Sequence, residues 1–264
     1  KLLNFVDILL CEDTRKTSKL LSAHGVKNKT LISYNDHNAS KKRPYVINQL
    51  LLDKSIGLVS DAGTPLISDP GYKLVQECYL KNINVTHSPG PSSVINALVL
   101  SNLPSDQFYF GGFIPSNKSG KEKKFLLTKY NQMTGIWFDT CIRLPNTLKV
   151  MLNIYGNRKI SIMRELTKTH EDVILSDLEN IENILLKRKE SNIPLLGEIV
   201  VVISGYQLNS DLDIDIIKGN IKEKLSSFSL RDTVNMIVSE TGLSKKIIYE
   251  EAIKINNENI NTKK

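Results

Sequence analysis

Short apolar runs, separated by polar loops rich in glycine and proline, set the pattern of the first part of the chain. Phe5 to Leu10 is one such run; it ends in CEDTRKTSKLL, where Asp13 or Thr14 is placed to cap a short helix carrying Leu20 and Leu21. Thr30 to Tyr34 reads as a strand, followed by the polar stretch NDHNASKKRP. Tyr45 to Leu52 puts Val46, Ile47 and Leu50 at helical spacing, and Ile56 to Ser60 reads as a buried strand. Next comes SDAGTPLISDPG, residues 60 to 71. Its Asp69-Pro70 pair predicts a helix start, with Asp69 as cap and the helix running from Gly71 to Leu80. Asn82 to His87 predicts another strand, and SPGPSS at 88 to 93 leads into an apolar helix from Val94 to Leu100. Strand, glycine-rich loop and helix, twice over, predict parallel βαβ units.

A second alternating set follows Pro104. Strands are predicted at Phe108–Ile114, Gly135–Asp139, Lys159–Arg164 and Gly197–Ser204. Helices are predicted at Phe125–Tyr130, Leu144–Tyr155 and Leu178–Lys189, with KSGKEKK at Lys118 to Lys124 as a basic loop. The tail changes character. In LSSFSLRDTVNMIVSETGLSKKIIYEEAIK, Val234, Ile237 and Val238 mark one helix, Thr241-Gly242-Leu243-Ser244 a turn, and Ser244 the cap of another, a helix-turn-helix arrangement. The closing NNENINTKK is expected to be disordered. The predicted fold is therefore α/β, with an N-terminal α/β domain at 1–103, a second at 104–219, and a helical tail at 220–264.

Composition narrows the function classes only slightly. The chain has 264 residues, 41% hydrophobic and 24% charged, as in a soluble globular protein of two domains. Cys11, Cys78 and Cys141 have no CxxC spacing, so neither a disulfide framework nor a metal site is indicated, and a cytoplasmic setting fits. No apolar stretch approaches the roughly 20 residues of a membrane span. The net charge of +7 suits a polyanionic partner such as RNA, although richness in Lys, Asn and Ile is also what an AT-rich coding sequence produces. The chain opens on Lys1 rather than Met, so an upstream segment is expected.

Candidate chemistry gathers in two loops, 60–71 and 88–93, which follow predicted strand ends, where parallel α/β sheets bind ligands. Gly63, Gly71 and Gly90 allow close backbone approach, and Asp61 and Asp69 can accept from hydroxyl or ammonium groups. There is no GxGxxG and no GxxxxGK[ST], which weighs against a dinucleotide or P-loop site.

SDAGTPLISDPGY, followed by SPGPSSVINALVLSNLP, resembles the tetrapyrrole methylase superfamily of S-adenosylmethionine (SAM) enzymes. The likeness is closest to the branch that methylates a ribose 2′-hydroxyl of a cytidine in small-subunit ribosomal RNA. CEDTRKTSKLL, SYNDHN, GFIPSNKSGKEKK, RELTKTHE and GEIVVVISG resemble further motifs of that branch in order, and residues 229 to 254 resemble its helical tail.

The resemblance implies two α/β domains with SAM between them and a homodimer. It implies cofactor contacts from Asp61, Ala62, Gly63, Thr64 and Pro65, from Pro89, Gly90, Pro91, Ser92 and Ser93, and from Arg164, Leu166 and Thr167. The RNA side would involve Arg15, Asn38, Lys118, Lys121, Lys123, Lys124 and Arg143. Glu12, Asp13, His37 and Glu165 are the candidate catalytic groups, with Glu165 and Arg164 equally readable as an internal ion pair. No metal is implied.

Two departures stand out. The family opens with a strand and a Thr-Pro-Ile-Gly-Asn-Leu loop that this chain lacks, so the first strand of the N-terminal sheet is expected to be missing. Asp139 and Ile142 stand where the family has Glu and His. Two rival readings remain: a porphyrinoid methyltransferase on the same scaffold, and a non-catalytic RNA-binding fragment.

Overall fold

In a computed structural model the described residues are 2–191, 196–207, 211–241 and 243–261. The chain divides into two units, Lys1–Ser93 and Val94–Lys264. In the first, a short helix α1 (Leu2–Phe5) precedes β1 (Ile8–Cys11), α2 (Thr14–Ala23), β2 (Thr30–Ser33), α3 (Ala39–Leu51), β3 (Ile56–Val59) and α4 (Tyr72–Leu80). The three strands form one parallel sheet in the order β2-β1-β3, with Cys11 beside Ser33 and Val59. All four residues of β1 are buried, as a central parallel strand requires. Ile8, Leu10, Tyr34, Val46, Ile47, Leu74 and Cys78 form the core of this unit.

Two expectations for this unit fail for physical reasons. No strand forms over Asn82–His87: β3 is the outer strand of the sheet, and residues 83–92 join no ladder. Only Ile83 of that stretch packs against the core. Asp69 is not the cap of α4. Leu66 and Ser68 take positive φ, and the turn carries the chain on to Gly71, which is the N-cap at φ 136°.

The second unit begins with α5 (Ser93–Leu100), whose Val94, Ala97 and Leu98 pack with Ile136, Met163, Val200 and Val202. That packing places α5 with the second unit, although the sequence reading ended the first domain at residue 103. β4 (Phe108–Phe113), α6 (Lys118–Leu127), β5 (Thr134–Thr140), α7 (Leu144–Tyr155), β6 (Lys159–Arg164), β7 (Asp172–Asp177), α8 (Ile181–Glu190) and β8 (Glu198–Ile203) follow. The sheet is five-stranded, in the order β4-β5-β8-β6-β7. Its β4–β5 pair is parallel, and β8 runs antiparallel to both β5 and β6. The face under α6 and α7 holds Phe125, Trp137, Leu144, Met151, Ile160 and Val201 in the largest buried cluster.

KSGKEKK is the first part of α6 rather than a loop: Asn117 caps it by accepting the Gly120 N–H, and Lys121 and Phe125 face the core. β7 was not expected.

The tail holds one helix more than the sequence pattern indicated. α9 (Asp211–Leu225), α10 (Leu230–Thr241) and α11 (Lys245–Asn261) share a core of Ile217, Ile221, Val234, Ile237, Leu243, Ile248, Ala252 and Ile255. Tyr206 joins that core and meets Tyr130 edge-on at 5.2 Å, while the Arg158 guanidinium lies over Tyr155 and Tyr206. α11 continues to Asn261, through most of the stretch expected to lack order. Gly242 of the expected turn and residues 262–264 lie outside the described residues. Among the described residues, no helix is long and apolar enough to cross a membrane.

Candidate cofactor and substrate site

Because β1, β2 and β3 are parallel and in register, their carboxyl ends share one edge, and the polar segments after them converge there. Glu12 and Asp13 leave β1, Asn35 to Asn38 leave β2, and Ser60 to Pro65 leave β3. Glu12 Oε1 accepts the backbone N–H of Asp61 at 3.1 Å, tying the first strand end to the third. Lys16 Nζ, in the first turn of α2, donates to Asp61 Oδ2 at 2.8 Å. Ser60 Oγ donates to the carbonyls of Ala62 and Gly63, which fixes the loop from within.

The two candidate cofactor loops of this unit are joined directly: Thr64 Oγ1 donates to the Pro91 carbonyl at 2.8 Å. Gly63 sits at φ 83°, and a Cβ built there meets only the Pro91 carbonyl oxygen, at 3.9 Å. At Gly90 a Cβ meets only the Ser88 carbonyl oxygen, also at 3.9 Å. Both glycines therefore present bare, accessible backbone on loops held together by a hydrogen bond, the surface on which a flat or polar ligand can lie closely. Those features fit a nucleoside-bearing cofactor.

The four candidate catalytic groups separate clearly. Asp13 is the N-cap of α2, and its carboxylate accepts from Arg15 through the backbone N–H, Nε and Nη2. Those bonds, the side-chain one first, lower its pKa to about 2, which makes it a weak base. Arg15, expected on RNA, is thus committed to Asp13, although its side chain stays largely exposed. Glu165 is similarly committed: its carboxylate accepts the Glu198 N–H and Lys168 Nζ, and these bonds lower its pKa. It lies at φ 50°, against Gly197, where any Cβ would collide with its carboxylate. Glu165 thereby clasps the start of β8. His37 is exposed, and Glu12 holds the Asp61 loop.

Asp69, read from the sequence as a helix cap and a possible hydrogen-bond acceptor, was not among the catalytic candidates. Freed from the cap position, it is half-buried near Ser60, Asp61 and Glu12, and burial first, then the Glu12 charge, raise its pKa to about 6. The Asp-Pro pair hid it, because that pair is also the best local signal for a helix start.

The expected RNA contacts divide in the same way. Asn38 Oδ1 accepts the Asn35 N–H and its Nδ2 donates to Ser33 Oγ, so the amide builds the turn after β2. Lys121 is 1% exposed, with Nζ donating to Asn146 Oδ1 and its pKa lowered by burial; it is a core lysine that a polyanion in solvent does not reach. Arg143 pairs with the buried carboxylate of Asp139 at 2.9 Å, and Thr147 Oγ1 donates to the other carboxylate oxygen at 2.6 Å. Asp139 therefore keeps a buried ion pair, while Ile142 beside it is 91% exposed. Lys118, Lys123 and Lys124 lie on α6; Lys118 reaches Glu122 only at 3.8 Å, and Lys124 Nζ sits 5.2 Å from the centre of the Trp137 ring. Arg164 Nη1 donates to the Leu196 carbonyl, and Thr167, at φ 65°, donates its N–H to Glu171.

The family profile for tetrapyrrole (corrin/porphyrin) methylases matches residues 1–182. The chain belongs to the tetrapyrrole methylase family. Among curated members it is 41% identical to the ribosomal RNA small subunit methyltransferase I of Rickettsia prowazekii, over 92% of this chain and 79% of that protein. It is 39% identical to the protein of the same name from Thermotoga maritima, over 78% of this chain and 90% of that one. Among solved structures, a diphthine synthase shares the fold with a TM-score of 0.57 at 12% identity, covering 76% of this chain and 81% of that one. These tetrapyrrole methylase relatives bear out the α/β fold expected from the sequence. Among the described residues, no group of three or more His, Cys, Asp or Glu is arranged to hold a metal.

Proposed function

We propose that this chain is a SAM-dependent methyltransferase that methylates a ribose 2′-hydroxyl of a cytidine in small-subunit ribosomal RNA, in the cytoplasm and as a homodimer. The observation that carries the reading is the identity of 41% across 92% of the chain to a relative named for small-subunit rRNA methylation.

The backbone of Asp61 to Pro65 and of Pro89 to Ser93 would hold the cofactor. When bound, SAM supplies a methyl group made electrophilic by its sulfonium. The residues of this chain supply placement and proton handling. Glu12 and Lys16 hold the Asp61 loop in shape from two elements, so that alignment is prepaid.

A ribose hydroxyl is a weak nucleophile near neutral pH, and a base whose own pKa approaches that range is the most effective one. Asp69, titrating at about 6, meets that requirement better than Asp13 at about 2. In this reading Asp69 accepts the hydroxyl proton, and Asp13 orders α2.

The test is methyl transfer from labelled SAM with assembled small subunits, free small-subunit RNA and a porphyrinoid offered in the same reaction. Label in RNA, at a cytidine ribose, supports the reading. Label in the porphyrinoid would replace it with the small-molecule alternative, and no label in either, despite cofactor binding, would abandon it.

A further inference from the structure

Helix α4 presents two different faces. Leu74 and Cys78 turn into the core of the first unit. Tyr72, Val75, Gln76 and Tyr79, spaced at i, i+3, i+4 and i+7, form a second stripe along the same helix. That stripe is open, with Tyr72 66% and Tyr79 64% exposed.

Positive charge runs directly beside it. An open groove of about 420 Å³ where α3 meets α4 is lined by Arg43, Lys73, Gln76, Glu77, Leu80 and Lys81. Its one carboxylate, that of Glu77, is already met by Arg43 Nε at 2.9 Å, so the pair is neutral as a unit. The exposed ammonium groups of Lys73 and Lys81 make no ion pair among the described residues, which leaves the groove net positive. A second groove of about the same volume is lined by Tyr72, Val75, Gln76, Tyr79 and Leu80. Gln76 and Leu80 line both, so the tyrosines and the lysines are two sides of one surface.

The surface starts at the candidate site. Tyr72 is the first residue of α4, next to the N-cap Gly71 and three residues past Asp69, while Lys81 is the C-cap. A ligand leaving the carboxyl edge of the sheet along α4 would follow this helix for about 14 Å, with rings on one side and cations on the other. An unpaired polynucleotide uses both, its bases stacking on aromatic rings and its phosphates meeting ammonium groups. A protein partner suits the surface less well, because the cores of protein interfaces are depleted of lysine.

We infer that α4 holds the unpaired RNA next to the target nucleotide, with Tyr72 and Tyr79 stacking on its bases and Lys73 and Lys81 meeting its phosphates. This rests on the RNA-methylating reading above, and adds where the flanking strand lies and that it is bound single-stranded.

The test measures binding of a labelled single-stranded RNA, and of the same sequence as a duplex, by fluorescence anisotropy. Tyr79→Ala is expected to weaken single-strand binding by about tenfold while leaving duplex binding unchanged, and Tyr79→Trp to keep it. Tyr79→Leu, which retains apolar bulk but no π-face, must behave like the alanine variant; it also serves if Tyr79→Ala does not fold. Lys73→Gln and Lys81→Gln are each expected to lower the slope of log affinity against log salt by about 0.7. Unchanged single-strand affinity in both tyrosine variants, an equal loss for the duplex, or an unchanged salt slope in both lysine variants would overturn the inference. So would loss of a dimer in light scattering with RNA affinity intact, since the stripe would then cover a second copy of this chain. Methyl transfer by the wild type, assayed alongside, keeps the two failures apart: transfer to RNA with no effect at Tyr79 refutes the α4 surface alone, and no transfer refutes the function.

Discussion

The two sheets use their residues in opposite ways. In the second unit, β5, β6 and β8 are buried along most of their length, and Trp137, Phe125, Met151 and Ile162 are each at most 1% exposed. Its buried charged groups are paired, Lys121 with Asn146 and Asp139 with Arg143 and Thr147. In the first unit only β1 is fully buried; the polar groups sit at the carboxyl edge, and hydrogen bonds rather than packing hold the loops there. Burial is concentrated in one sheet and candidate chemistry at the edge of the other.

The strongest way to break that comparison is to cut each core. Leu144→Ala in the second core is expected to cost about 4–5 kcal/mol of unfolding free energy, whereas Leu10→Ala, equally buried in the smaller first core, costs about 2–3 kcal/mol. Urea denaturation followed by circular dichroism measures both, and equal losses would remove the asymmetry.

Next in size is the effect of Asp69→Asn on turnover. A drop of about a hundredfold in kcat is expected, along with loss of the acidic limb near pH 6 in the kcat profile. A variant with normal kcat and an unchanged profile would return the proton to another group.

Much of this architecture is legible in the sequence, and the misreadings have identifiable causes. β1, α2 and β3 lie where their apolar runs place them, because each needs only its own pattern and a nearby cap. Asn82–His87 has a strand's composition, but a strand is made by its partner, and beyond β3 the sheet offers none among the described residues. KSGKEKK reads as a loop because its lysines look solvated; in α6 the stem of Lys121 is buried beside Phe125, which no composition rule shows. Of the two candidate loops, 60–65 does follow a strand end, that of β3, whereas 88–93 follows no strand and is tied to the first loop by the Thr64–Pro91 hydrogen bond. Asp69 was assigned to the helix cap because positive φ at Leu66 and Ser68, which moves the helix start past it to Gly71, leaves no mark on residue type there.

Gly71→Ala probes that same turn. Its Cβ would come within 2.5 Å of Leu58 and 2.9 Å of Leu66 at a φ that L-residues disfavour, so a loss of about 1–3 kcal/mol is expected in thermal melts. A neutral result would mean that the loop readily takes another path.

The smallest effect is the pH dependence of stability. Asp69 has a folded pKa of about 6, above its ordinary value of 3.8, so the proton it retains stabilises the fold fully below pH 3.8, and that contribution disappears as pH rises through about 6. The melting temperature of the wild type should therefore fall relative to that of Asp69→Asn between about pH 4 and 7. A constant difference would place Asp69 in solvent.

The central claim, that the edge of the first sheet holds the cofactor, is tested most directly by titrating S-adenosylhomocysteine calorimetrically into the wild type and Gly63→Ala. A Cβ at Gly63 meets no non-neighbouring atom of the protein closer than 3.9 Å, so the substitution leaves the loop's packing intact and reports on whatever lies against that backbone. The account predicts binding by the wild type and a loss of about tenfold or more in Gly63→Ala, with a stability change near 1 kcal/mol from the positive φ alone. Equal affinity in the two proteins would contradict it.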